Sequence, residues 1–238
     1  MSAVLALLPQ LTNVNGDAEN ALVLAQRARW AGVPADVVPV GTAEDLPSAR
    51  PTAIVLGSST DGDLAAVRDG LAPLRAALDA WLTDGVPVLA VGTGLELLTR
   101  EVDLGAGNAI PGLGLIAARA VPLSQRASGD LLVDSRHGRL VGYENHARRL
   151  VLEAGTSALG RVAHGVGDGD GADGVEVGSL IGTRLHGPVL AKNPAMADAL
   201  LTAALGERYT TAAPEFSRID RYAADARLAI AASVGLTA

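Results

Sequence analysis

The chain of 238 residues contains no cysteine. This absence excludes disulfide bonds, thiolate metal sites and catalysis by a thiolate nucleophile. Aromatic residues are also scarce, at 3% of the sequence, whereas apolar residues make up 49%. Because small aliphatic side chains must then fill most of the interior, we expect helices packed closely on a parallel sheet.

Basic residues are too few and too scattered for a nucleic-acid-binding surface. The chain has 19 Lys and Arg residues against 26 Asp and Glu residues, a net charge of −7. It has no run of about 18 apolar residues that could span a membrane. The apolar start MSAVLALLPQLTN lacks the basic region and cleavage site of a signal peptide. We therefore expect a cytoplasmic protein with no nucleic-acid partner and no membrane span.

The first half of the chain alternates between buried strands and amphipathic helices. Helical spacing predicts helices at 17–30, 63–84 and 95–102, and Pro73 is expected to kink or split the second. Strands separated by helices favour an α/β fold, a mostly parallel sheet with helices on both faces. We expect residues 1–238 to form one domain. Short continuous apolar runs predict the strands at 4–8, 35–40, 53–57 and 87–91.

The second half differs, because shorter apolar runs there predict an antiparallel extension. The Gly- and Asp-rich segment 165–174 predicts a mobile, solvated hairpin. It is not a calcium loop, since no glutamate stands at the bidentate position. Asn193 and Pro194 suit the N-cap and first position of a helix. The predicted strands are 115–121, 131–133, 139–143, 160–166 and 175–181, and the predicted helices are 193–204 and 215–234.

Several other side chains fit ordinary structural roles. The last helix carries Ile219, Tyr222, Leu228 and Ile230, which either pack on the core or cover an interface. Among the polar residues, Asp17 and Asn20 fit a helix cap and a turn, and His146 fits a turn. The remaining histidines without a motif, His137 and His164, are expected to be exposed.

The most informative segment is PVLAVGTGLELL at 87–98. A buried strand there enters a glycine-rich turn and then a helix. This pattern places one side chain on a tight elbow at the carboxyl end of a strand, aimed into a crevice. Backbone N–H groups at the start of the helix are suited to stabilising an anion.

The segment resembles the nucleophile elbow of class I glutamine amidotransferases of the cobyric acid synthase type. It is most similar to the GatD group, the glutaminase subunits of MurT–GatD lipid II isoglutaminyl synthases. Gly92 stands where that family has its cysteine, Thr93 replaces a glycine and Glu96 a glutamine. Three further blocks are similar in the same order: LLPQLTNVNGDAEN, GYENH, and GTRLHGPVLAKNP, in which Arg184 replaces a tyrosine.

The resemblance implies a flavodoxin-like fold and a role for several residues. His186 matches the catalytic histidine and Arg126 the arginine that anchors glutamine. Gly57 and Ser58 begin the loop that helps to hold the oxyanion. Without a thiol, we expect His186 to be vestigial and Gly92 to mark the former nucleophile position. Arg126, Gly57, Ser58 and Thr93 are the candidate substrate-binding residues, and no cofactor or metal is implied.

Three hypotheses follow from the resemblance. The first is a pseudo-glutaminase subunit that partners a MurT-like, Mur-ligase-type ATP-dependent enzyme, in cell-wall peptide amidation or a related biosynthetic pathway. The second is a module that binds or senses glutamine or glutamate. The third is an active amidotransferase subunit with a hydroxyl nucleophile from Thr93, Ser58 or Ser59, although Thr93 is better explained as a helix cap.

Overall fold

The structure is a computed structural model, and it describes residues 2–236. The strands are β1 (Ser2–Leu7), β2 (Ala35–Val40), β3 (Ala53–Leu56), β4 (Val88–Val91), β5 (Glu101–Gly105), β6 (Asn108–Pro111), β7 (Ala118–Ser135), β8 (Gly138–Leu152), β9 (Gly160–His164), β10 (Ala172–Asp173), β11 (Val175–Val177) and β12 (Leu180–Thr183). The helices are α1 (Asn20–Trp30), α2 (Leu64–Leu71), α3 (Arg75–Thr83), α4 (Thr93–Leu98), α5 (Val189–Lys192), α6 (Pro194–Leu205) and α7 (Pro214–Ser233).

A mostly parallel sheet lies at the centre, in the order β11-β12-β4-β3-β1-β2. Only the edge strand β11 is antiparallel to its neighbour. Alternate side chains of β1 enter two different cores: Val4 and Ala6 pack with α1 and α6, whereas Leu5 and Leu7 pack with α2 and α3. Both faces of the sheet are therefore covered by helices, which explains the continuous apolar runs and confirms the predicted α/β class.

The second half of the chain builds a second sheet around a long antiparallel hairpin of β7 and β8. The strands β5, β6, β9 and β10 extend this sheet on the other side of β7. Leu131, Val133 and Leu140 of the hairpin join the core that also contains α6. The predicted antiparallel extension is therefore confirmed, and its strands are longer than the apolar runs indicated.

Helix α4 is shorter than the predicted 95–102 helix. It ends at Leu98 because Thr99 is extended, with φ −73° and ψ −177°. The Thr99 hydroxyl donates to the carbonyl oxygen of Glu96 at 2.7 Å. The chain then continues as β5, so Val102 lies in a strand of the second sheet and not in a helix.

The predicted strand at 175–181 is instead two antiparallel strands, β11 and β12. Gly178 has a φ of 58°, a left-handed conformation that allows the chain to reverse. The prediction for Pro73 is confirmed, since a 3-10 turn at Ala72–Leu74 separates α2 from α3.

Asn193 occupies the N-cap position of α6, but its side chain does not cap the helix. Its amide oxygen accepts the N–H of Val141 at 2.9 Å, and its amide nitrogen donates to the carbonyl oxygens of Val141 and Val189. Asn193 therefore joins α6 to β8. The predicted positions of Asn193 at the N-cap and Pro194 at the start of the helix are confirmed, but the Asn193 side chain bonds a strand and does not cap the helix.

Helix α7 packs through Phe216, Ala223 and Ala231. Tyr222 and Leu228 are 60% and 54% exposed, so these two do not pack on the core. None of the helices among residues 2–236 is long and apolar enough to cross a membrane.

A buried arginine joins α7 to the rest of the fold. The Arg27 guanidinium donates to Asp198 of α6 and to Asp220 of α7, both at 2.7 Å. It also lies over the ring of Phe216, 4.8 Å from the centroid. Arg27 is almost fully buried, so its two carboxylate partners are needed to offset its desolvation.

We predict that Arg27→Met lowers the free energy of unfolding by about 3 kcal/mol, because two carboxylates lose their buried cation. Chemical denaturation measures this change. The control is Arg100→Met, which removes an exposed ion pair with Glu153 and should cost about 1 kcal/mol or less. Equal effects of the two substitutions would contradict the prediction.

Candidate functional site

A cavity of about 340 Å³ opens at the carboxyl ends of the parallel strands. Ligands of α/β sheets usually bind at this edge. The loop after β3 contributes Ser58 and Ser59, the start of α4 contributes Thr93, and the segment after β12 contributes His186. The hairpin of the second sheet closes one side through Arg126, Asn145 and Arg148.

Gly92 forms the elbow between β4 and α4, with φ 55° and ψ −121°. A Cβ atom added here would lie 2.6 Å from His186 Cε1 and 2.9 Å from Ser58 Cβ. Two features therefore favour glycine at this position: its left-handed backbone conformation and the lack of space for a Cβ. The imidazole of His186 lies where the side chain of a nucleophile would begin.

His186 is oriented by Asp17, and both side chains are buried. The distance from His186 Nδ1 to Asp17 Oδ2 is 2.7 Å. Asp17 also accepts the Ser58 hydroxyl and the N–H of Gly187. The expectation of a cap or turn role missed the main contact of Asp17, because its carboxylate is the partner of His186. The signal in the sequence was its place in the NGDAEN block.

The loop after β3 is tied to the elbow by Thr93. The N–H of Ser59 donates to Thr93 Oγ1 at 2.7 Å, and the two hydroxyl oxygens are 3.1 Å apart. The residue at the N-cap of α4 is Gly92, and no side chain caps this helix. Thr93 is therefore not the predicted cap. Its hydroxyl instead satisfies a loop N–H that could otherwise donate to a bound ligand.

The four hydroxyls that line the cavity, those of Ser58, Ser59, Thr60 and Thr93, have partners other than the imidazole. Ser58 Oγ contacts Val14 O and Asp17, and Ser59 Oγ contacts Thr60 O and Thr93. Within residues 2–236, no hydrogen bond reaches His186 Nε2. These residues therefore contain no hydrogen-bonded pair of hydroxyl nucleophile and histidine base, which activation of a hydroxyl requires.

Glu96 and Arg184, two of the departures from the family pattern, contact each other. Arg184 Nη1 donates to Glu96 Oε1 at 2.6 Å, and Arg148 Nε donates to Glu96 Oε2 at 2.6 Å. Burial alone would lower the pKa of Arg184, but the charges of Glu96 and Asp168 outweigh it and raise the pKa. Since an unpaired buried charge is costly, Glu96 and Arg184 depend on each other.

The Gly- and Asp-rich segment supplies two buried carboxylates to this network. Asp168 accepts the N–H groups of Leu150 at 2.7 Å and Gly174 at 2.9 Å. Asp173 accepts the Thr183 hydroxyl at 2.8 Å. Burial, with the neighbouring charge of Asp168, raises the pKa of Asp173 to about 7. The predicted hairpin is present, since β10 pairs with β9. The prediction that it is solvated is wrong for Asp168 and Asp173, which are buried and anchor it inside the protein.

A sequence model of the CobB/CobQ-like glutamine amidotransferase domain matches residues 4–194. The chain belongs to this family.

Two relatives in the family share substantial identity with the chain. The lipid II isoglutaminyl synthase (glutamine-hydrolyzing) subunit GatD of Staphylococcus aureus (strain N315) is 31% identical over 192 residues, 79% of this chain and 78% of the relative. The protein of the same name from Streptococcus pneumoniae (strain ATCC BAA-255 / R6) is 27% identical over 208 residues, 85% of this chain and 80% of the relative.

Solved structures of glutamine amidotransferases have the same fold. A crystal structure of a glutamine amidotransferase has a TM-score of 0.57 at 19% identity and covers 84% of this chain and 98% of its own. The structure of PurLQS from Thermotoga maritima has a TM-score of 0.54 at 14% identity, with 93% and 98% covered. These similarities support the fold of the CobB/CobQ-like domain.

The remaining candidate residues of this CobB/CobQ-like domain lie at different depths. Arg126 is half-exposed at the cavity mouth, where its Nε donates to Asn145 Oδ1 at 2.8 Å. Gly57 is not among the lining residues, and a Cβ there would collide with the carbonyl oxygen of Thr12. Gly57 is therefore explained by packing, and the expectation that it contacts a ligand has no support in the geometry.

The other histidines are structural or exposed. His146 is buried and its ring contacts the carbonyl oxygen of Arg148 at 2.7 Å and Glu144 at 3.1 Å. His164 is exposed, as predicted. The same prediction for His137 is wrong, since its ring is covered and lies 3.0 Å from Glu176. No group of metal-binding side chains occurs in the part of the chain that the structure describes.

We predict that Gly92→Cys does not produce a glutaminase, because the new side chain would collide with His186 and the Ser59 N–H already has a partner. Overpacking should also lower the free energy of unfolding by about 1–3 kcal/mol. Ammonia release from glutamine and chemical denaturation measure the two effects.

Gly114→Cys is the matched control for Gly92→Cys, since Gly114 has a φ of 65° and nothing within 4 Å of the added Cβ. The difference in the free energy of unfolding between the two variants gives the cost of the collision apart from the cost of backbone strain. Ammonia release by Gly92→Cys at an ordinary enzymatic rate would show that the elbow still accommodates a nucleophile.

The raised pKa of Asp173 predicts a pH dependence of stability. Its carboxyl keeps its proton in the folded state up to about pH 7, whereas the unfolded chain releases it near pH 4, roughly. The folded state therefore binds the extra proton in this window, and the stability from this group falls as the pH rises.

Asp173→Asn removes this titration. The free energy of unfolding of the unmodified chain minus that of the variant should therefore decrease from about pH 4 to about pH 7. Urea denaturation across that range measures the difference. Asp170→Asn, in the same segment but exposed, controls for the loss of a carboxylate. A difference that rises with pH would contradict the assignment.

Proposed function

We propose that the chain is a pseudo-glutaminase: a GatD-like subunit without glutaminase activity of its own. One observation carries the proposal. The elbow residue is Gly92, and the imidazole of His186 lies within 2.6 Å of the position that a Cβ would take. Acyl transfer from glutamine needs a nucleophile at this point. The chain has no cysteine to supply one.

The proposed partner is a MurT-like, Mur-ligase-type ATP-dependent enzyme in the cytoplasm. Two relatives are named as subunits of lipid II isoglutaminyl synthase (glutamine-hydrolyzing). In the proposed complex the partner uses ATP to activate a carboxylate and joins it to an amine. The nitrogen comes from free ammonia or another amine and not from glutamine. The acyl substrate belongs to cell-wall peptide amidation or to a related biosynthetic pathway.

The order of the buried groups supports a subunit that kept its architecture. Glu96, Arg148 and Arg184 form a paired network beside the cavity. Asp17 still holds His186 in place. An unpaired buried charge is strongly destabilising. The pairing of each of these charges therefore keeps the site ordered, as a subunit with a retained architecture requires.

The experiment is co-purification of the chain with the products of neighbouring genes, followed by an ATP-consumption assay of the complex. We expect a Mur-ligase-like partner, turnover with ammonium or another amine, and no stimulation by glutamine. If the partner enzyme assayed without this chain consumes no ATP, the subunit is required. Stimulation by glutamine, with release of glutamate, would overturn the proposal.

A second candidate function is the binding of glutamine or glutamate as a regulatory signal. It is favoured by Arg126, whose guanidinium is half-exposed at the cavity mouth. Its Nε donates to Asn145 Oδ1, and its Nη1 lies 3.8 Å from the carboxylate of Asp61. A planar guanidinium is suited to an α-carboxylate. Calorimetry with both amino acids should then give heat that Arg126→Ala abolishes and Arg100→Ala does not. Absence of heat at millimolar ligand would exclude this candidate.

A further inference from the structure

Helices α1 and α7 border a surface groove that has no role in the functions described so far. The groove encloses about 260 Å³ beside α5. Leu22, at its rim, is 52% exposed. Exposed apolar surface of this kind often marks a site of association. The apolar lining consists of Leu22, Val23, Trp30, Leu190, Ala191 and Ile219.

An exposed aromatic side chain lies next to this groove. Tyr222 follows Ile219 by one turn of α7 and is 60% exposed, so most of its ring faces solvent. The Tyr222 hydroxyl has no hydrogen-bond partner among residues 2–236, and neither has the side chain of Gln26, which also lines the groove. Tyrosines at protein interfaces bury the ring and hydrogen-bond the hydroxyl. Tyr222 therefore has the properties of an interface residue.

Two opposite charges flank Tyr222 on the surface of α7. Arg218 and Asp225 are both exposed, and neither has an ion-pair partner within the described residues. Helical spacing puts both side chains on the same stripe as Tyr222, Arg218 one turn before it and Asp225 one turn after it. The stripe is therefore basic on one side of the tyrosine and acidic on the other.

This order of charges is complementary to its own reverse. If two α7 helices meet antiparallel about a two-fold axis near Tyr222, Arg218 of each copy lies opposite Asp225 of the other. The same operation brings each Tyr222 to the groove of the neighbouring copy, where Gln26 can bond its hydroxyl. The tyrosine, the groove and both charges are then each used twice, as an isologous contact requires. These features favour a second copy of the chain over a partner of different sequence.

We propose that the chain forms a two-fold dimer through α7, in which Tyr222 of each copy occupies the α1–α7 groove of the other. The groove and the cavity at Gly92 share no lining residue, so the inference is independent of the proposed function. One helix and one groove from each copy make a small interface, and the dimer therefore dissociates on dilution.

The test is analytical ultracentrifugation of the full chain from about 1 μM to about 100 μM, the range in which a weak interface fills. The average mass should rise from one chain towards two. Tyr222→Ala should raise the dissociation constant at least about tenfold, because tyrosines are frequent hot spots of interfaces. Leu228→Ala is the matched control: Leu228 is 54% exposed on the same helix, but about 120° around it from Tyr222. It should leave the dissociation constant unchanged.

A charge exchange tests whether the second partner is a copy of the same chain. Asp225→Arg alone sets like charges opposite each other and should raise the dissociation constant about tenfold. The double variant Arg218→Asp, Asp225→Arg reverses both charges, so the two copies are complementary again and the dimer should be restored. Both residues are exposed, and circular dichroism checks that the variants keep the fold.

Three results would overturn the proposal. The first is a chain that stays monomeric at about 100 μM. The second is a dimer that Tyr222→Ala leaves intact, and the third is a double variant that dissociates as readily as Asp225→Arg alone. If the chain is monomeric and Tyr222→Ala abolishes its co-purification with a ligase, the groove binds that enzyme and not a second copy.

Discussion

The conformation of Gly92 is the constraint on which the rest of the site depends. Its φ of 55° and ψ of −121° place the elbow under the imidazole of His186, and no other residue fits there without moving the ring or Ser58. Once this position has no side chain, His186 can close onto it and Thr93 can take the N–H of Ser59. These contacts stabilise the cavity in the conformation that the structure shows.

The buried ion network is a second constraint, and it explains why the departures from the family pattern occur together. Glu96 lies between Arg148 and Arg184, and Asp168 also contacts Arg184. A single change within the network would leave a charge without its partner in the interior. The Gly- and Asp-rich segment is therefore tied to the elbow helix, and the two parts of the chain constrain one cavity wall.

Local sequence pattern predicts the parts of the fold that depend on neighbouring residues. The continuous apolar runs identify β1 to β4, and the elbow motif identifies a crevice beside Gly92. The resemblance to the family adds Ser58, Arg126 and His186, which do line the same cavity. Contacts between distant residues leave no such pattern. Asp17 and His186 are 169 positions apart, and Glu96 and Arg184 are 88 apart. Asp168 and Asp173 are charged, so the sequence alone suggests that they are solvated. Their buried partners are supplied by distant parts of the chain and leave no local signal.

In the proposed complex, nitrogen does not enter through this cavity from glutamine. The most direct measurement supplies the ligase complex with glutamine labelled with ¹⁵N at the amide, together with unlabelled ammonium, and determines the nitrogen of the amidated product by mass spectrometry. We predict a product that carries only unlabelled nitrogen. Label in the product would contradict this prediction, because the chain would then contain a nucleophile for glutamine that its elbow does not reveal.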